Sequence, residues 1–168
     1  MLNNDLEKQK VPDDAVKALR TPYVVTLIRG QSIYRFGNSQ VPTGLVAASP
    51  WWIREQDYRR ILANAQPGKI STGFAARISL AVKQSWRNPM DMLVRAIVLE
   101  DIKVFCGVAR TQYREQAPNG MFITWRGSKN IEQLFIPGIS QRYVGLTDMG
   151  RRAIQVVEIQ RIDTFQLW

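Results

Sequence analysis

The stretch Ile131-Glu132-Gln133-Leu134-Phe135-Ile136-Pro137 reads as a short apolar β-strand closed by proline, with one carboxylate and one amide at its start. Adjacent strand residues point to opposite faces, so at most one of Glu132 and Gln133 faces any given cleft. Further β-rich runs precede it at residues 92–99, 103–109 and 121–125, and another follows at 154–162. Two more lie near the start, at 23–28 and 32–36, around the break Gly30-Gln31, and read as consecutive strands or one bent strand. Two helical patterns separate the early strands from the late ones. That order argues for an α+β fold with largely antiparallel sheets, and against a nucleotide-binding α/β repeat.

The first helical pattern has Ser49 as its N-cap and Pro50 at its first position, and runs from Trp51 through Leu62 to the stop Gln66-Pro67-Gly68. Tyr58, Ile61, Leu62 and Ala65 share its apolar face, while Arg54, Arg59 and Arg60 fall mainly on the outer, solvated one. The second is capped by Ser71 or Thr72 and extends to about Trp86, with Phe74, Ile78, Ala81, Val82 and Trp86 facing inward. Residues 1–20 are polar and lack the apolar core of a secretion signal, so they read as a linker with a short helix from Asp13 to Leu19. Residues 21–168 then form one domain, long enough to bury a core without staples.

Composition removes several chemistries. There is no histidine among the 168 residues, which excludes Ser-His-Asp hydrolysis and two-histidine metal sites. Cys106 is the single cysteine, so no internal disulfide or cysteine-ligated cluster forms, and it reads as a small buried hydrophobe. Asp91, Glu100, Asp101 and Glu115 show no spacing that gathers carboxylates round magnesium, so no metal is expected. No stretch approaches the ~20 apolar residues that span a bilayer. Lysine and arginine number 23 against 14 acids, a net charge of +9, and the first twenty residues, with four of each sign, contribute none of it. The rest of the chain therefore favours polyanions: nucleic acid, a phosphate-bearing small molecule or an acidic protein.

A carboxylate at a strand start in a chain without histidine fits glycosyl transfer. A glycosidic carbon leaving as an oxocarbenium ion needs a nearby anion more than a proton shuttle. Two upstream segments complete the candidate site. In Ser32-Ile33-Tyr34-Arg35-Phe36-Gly37, alternation puts Arg35 on the face of Ile33, and its planar fork of donors matches a phosphate; Arg29 competes for that role. In Lys69-Ile70-Ser71-Thr72-Gly73-Phe74, a hydroxyl pair opens a helix whose free amides favour an anion.

Arginine on an early strand, Ser-Thr before a helix and a glutamate-led late strand together resemble the ADP-ribosyltransferase superfamily over residues 30–140, particularly the polymorphic bacterial toxin domains at the ends of larger secreted proteins. The resemblance implies split antiparallel sheets with flanking helices around an NAD cleft. It also implies catalytic Glu132, Gln133 and Arg35, a cofactor-binding set of Arg35, Tyr34, Ser71, Thr72 and Phe74, and NAD as substrate without a metal. A macromolecular acceptor, protein or nucleic acid, and an acidic immunity protein are the implied partners of such a delivered effector. Two positions depart from the arginine-modifying pattern: Asn130 stands two residues before Glu132, and Gly73 replaces a third hydroxyl. Some related domains that hydrolyse NAD use a late-strand glutamine, which here is Gln133. A basic, non-enzymatic nucleic-acid-binding module is the alternative from another class.

Overall fold

The computed structural model describes residues 1–168, apart from the side chains of Pro67 and Gly68. In chain order its regular elements are α1 (Asp13–Ala18), β1 (Leu19–Leu27), β2 (Ser32–Gly37), β3 (Trp51–Arg54), α2 (Glu55–Gly68), α3 (Thr72–Ser79), β4 (Met92–Val98), β5 (Ile102–Ala109), β6 (Gln112–Gln116), β7 (Phe122–Trp125), β8 (Glu132–Phe135), β9 (Ser140–Gln141), β10 (Gly145–Leu146), α4 (Asp148–Ala153) and β11 (Ile154–Arg161). Seven strands pair in the order β1-β5-β8-β3-β2-β4-β11, every pairing antiparallel, with β6–β7 and β9–β10 as separate two-stranded ladders. The fold is α+β.

Central strands bury both faces, as the β-branched and aromatic residues of β4 and β5 require. One face, called the front here, carries Ile33, Trp52, Val94, Cys106 and Leu134 in a core closed by Val46, Ala47, Ile139 and Ala153. On the back face, Tyr34, Phe36, Ile53 and Leu93 pack against Ile61, Ala65, Ala75 and Ala76 of α2 and α3. Further along the back, Phe105 and Phe135 meet Leu6, Ala15 and Leu19. The N-terminal segment is thus packed onto the sheet: Leu2 N donates to Asp101 O at 2.9 Å, and Lys103 N to Leu2 O at 3.1 Å.

The first expected helix is corrected at its start. Trp51 and Trp52 pair with Phe135 and Leu134 of β8, whereas Ile53 and Arg54 pair with Tyr34 and Ile33 of β2. One four-residue strand therefore joins the two halves of the sheet. Ser49 Oγ does accept from Trp51 N at 3.2 Å, as in a cap, but the chain then enters the ladder, sinking Trp52 into the front core and Ile53 into the back. Two-sided burial of large side chains outweighs the local helix signal. Helix α2 begins only at Glu55.

Helix α3 starts as expected, with Ser71 Oγ accepting from Phe74 N, but it ends at Ser79 rather than near Trp86. Ala81 adopts φ +51°, and a 3-10 turn at Gln84–Trp86 follows. Its buried face is also rotated from expectation: Ile78 and Trp86 are exposed, while Gly73, Ala75, Ala76 and Arg77 are buried. Two close contacts set that rotation. A Cβ on Gly73 would lie 2.2 Å from Met90 O, and Arg77 turns inward to donate to Val82 O and Asn88 O at 3.1 and 2.5 Å.

Candidate active site

Glu132 is the first residue of β8 and shares the front face with Leu134. Tyr23 Oη of β1 donates to its Oε1 at 2.7 Å, and Arg54 Nη2, from the end of β3, pairs with its Oε2. The β3–α2 junction supplies the support. Asp57, in the first turn of α2 and fully buried, accepts from Arg54 Nε at 3.2 Å through Oδ2, and from Glu132 N at 3.0 Å and Arg60 Nη1 at 3.4 Å through Oδ1. Arg60 also donates to Asn130 O at 2.8 Å. Two carboxylates and two guanidiniums thus hold one another, and the Glu132 side chain keeps 23% of its surface in solvent. The proton that Tyr23 commits to Glu132 raises its phenol above the ordinary value. Cys106, beneath this cluster, is fully buried, and that burial pushes its thiol up to about 11, so it stays a neutral hydrophobe.

Arg35 lies on the same front face, cross-strand from Val94, with its guanidinium carbon 5.8 Å from the centre of the Trp52 ring. Its Nε and Nη1 are sealed from solvent and have no hydrogen-bond partner. Burial pulls its pKa down to about 10, which leaves the cation intact at neutral pH. In sheet order Arg35 is two strands from Glu132, a lateral separation of about 10 Å. On its other side, Val94 pairs with Ile159 of β11, which lines a front-face groove of about 420 Å³ together with Val46, Ala47, Leu146 and Arg151. Arg29, the competing arginine, sits in the exposed turn after β1.

The remaining expected site residues lie elsewhere, each with its own partner. Tyr34 points to the back, where it stacks on Tyr58 at 4.4 Å between ring centres. Gln133 also points back, buried, donating from Nε2 to Leu80 O at 3.0 Å. The start of α3 is occupied from within the chain: Ser71 caps it, Thr72 N donates to Asp163 Oδ1 at 3.4 Å and Gly73 N to Asp163 O at 2.9 Å. Phe74 packs edge-on against Phe165 at 5.4 Å. The front face thus carries both Arg35 and Glu132, two strands apart, and separates them from Tyr34, Gln133, Ser71, Thr72 and Phe74.

Tyr23, Arg54 and Asp57 are the residues that sequence reading missed. Arg54-Glu55-Gln56-Asp57 does carry an i,i+3 ion-pair spacing, but its link to Glu132 depends on which strands become neighbours.

Compared with known proteins, the sequence matches no family model and no curated protein. Among solved structures, the chain is similar to one described as "Rhs1-CT in complex with cognate immunity protein RhsI1", at 13% identity and a TM-score of 0.45 over 85% of this chain and 83% of that chain. Among the described residues, no helix is long and apolar enough to cross a membrane.

Proposed function

We propose that the protein cleaves the nicotinamide–ribose bond of NAD and transfers ADP-ribose to a macromolecular acceptor, with Arg35 and Glu132 as its working pair. The observation that carries this reading is the guanidinium of Arg35, which buries two donor nitrogens without partners on the sheet face that also holds Glu132. Such orphan donors in a low-dielectric setting pair strongly with a phosphate anion once side-chain movement admits it to them. The groove on the same face, two strands from Arg35 on the side away from Glu132, gives the rest of a dinucleotide a place to lie.

Glu132 is oriented by Tyr23 and Arg54, one on each carboxylate oxygen. Each oxygen has two lone-pair directions, so a ribose hydroxyl can still be accepted there. When the bond from C1′ to the nicotinamide nitrogen breaks, its electron pair leaves with neutral nicotinamide, and the oxocarbenium charge faces the carboxylate. A nucleophilic oxygen or nitrogen of the acceptor then bonds to C1′ and loses its proton. Water in that role gives hydrolysis. Gln133, with its amide spent on Leu80 in the core, has no part in this reading. A cell making such an enzyme needs a protein inhibitor, and the +9 charge suits an acidic one. Action inside a recipient cell after delivery completes the proposal.

Purified protein incubated with labelled NAD, with and without cell lysate, tests it. Nicotinamide release accompanied by label on protein or nucleic acid only with lysate identifies a transferase. Release without acceptor identifies a glycohydrolase, and no loss of NAD in either condition refutes the proposal.

A further inference from the structure

We propose that the β6–β7 hairpin is a docking surface for single-stranded nucleic acid. This inference stands apart from the NAD reading, because it rests on a different part of the molecule.

The hairpin is pinned to the body by one buried acid. Glu115 accepts from Gln84 N, Ser85 N and Trp125 Nε1, and Trp125 packs with Ala81 and Ala109. Glu115 is also the sole acid between residues 110 and 129, a segment holding Arg110, Arg114, Arg126 and Lys129, all exposed. With its one carboxylate turned inward, the hairpin shows solvent only positive charge. On the outward side stand Tyr113 at 68% exposure and Phe122 at 55%. Arg114 adopts φ +52° at the bulge between Gln112 and Glu115, and its guanidinium lies 4.9 Å from the centre of the Phe122 ring. The left-handed backbone is unfavourable for a side chain of this size, yet it keeps the guanidinium beside the aromatic surface.

Open ring faces interleaved with cations match a strand of bases and phosphates, in which every base offers a face to stack and every phosphate a charge to pair. An acidic polypeptide needs pockets that receive anchor side chains, and hairpin residues line neither the front-face groove nor the one bounded by Arg87, Asp91 and Trp168.

Fluorescence anisotropy of the full chain with a labelled oligothymidylate, read at about 50 and about 200 mM salt, tests the assignment. Binding should weaken steeply between the two salts. The double variant Tyr113→Ala and Phe122→Ala, outward-facing and so expected to leave the melting curve unchanged, should bind about tenfold more weakly or worse. Replacing Arg110, Arg126 and Lys129 with glutamine should flatten the salt slope by about 0.7 per residue. The proposal is overturned if the oligonucleotide does not bind at low salt, if both variants bind like the parent, or if polyglutamate displaces it at equal charge concentration.

Discussion

Arg35 is the residue on which structure and chemistry disagree most sharply. A cation that buries Nε and Nη1 without partners costs stability, since each orphan donor forfeits its water at about 1–3 kcal/mol. Arg35→Met keeps the bulk over Trp52 and removes those donors. The variant is expected to be at least as stable as the parent in denaturant unfolding, and to lose NAD binding in calorimetry; marked destabilisation would mean that the arginine serves the fold alone. Its strand, its face and its companionship with Ile33 were all legible from period-2 alternation. Its isolation was not, because an unpaired donor is known only once its neighbours are.

At the scale of elements, the late strands could be read from sequence because their apolar runs are bounded by turn residues. The short elements β9, β10 and α4 escaped, being too brief to show a period, and β6 because its five residues are mostly polar and broken by a bulge. The misplaced start of α2 and the premature end of α3 share one cause. Cross-strand partners decide whether Trp51–Arg54 extend, and carbonyls at Val82 and Asn88 decide which way Arg77 turns, so distant residues override local propensity. The Ser71–Thr72 hydroxyls were legible as a cap but not as one closed off by Asp163, which is 91 residues from Thr72. Asp57 is the knot joining α2, β3 and β8. Asp57→Ala leaves Arg54 and Glu132 N short of an acceptor inside the protein, and is expected to cost about 3 kcal/mol or more in chemical denaturation. A loss below about 1 kcal/mol would show that the cluster is not integral to the fold.

For the whole molecule, the four residues of β3 hold two halves of a sheet together and bring the cationic Arg35 and the braced carboxylate of Glu132 onto one surface. The excess positive charge of the chain as a whole favours polyanions at long range, which suits the proposed dinucleotide. The α+β class was readable from the order of elements alone. Which of two adjacent polar residues meets the front face was not, because it turns on strand register, and register puts Glu132 forward and Gln133 into the core. The most direct test is therefore the rate of nicotinamide release from NAD by the parent and by Glu132→Gln, compared side by side. The parent is expected to release nicotinamide and the variant, assayed below its own melting transition, to be slower by about a hundredfold; no release by the parent, or equal rates for the two, would contradict the account.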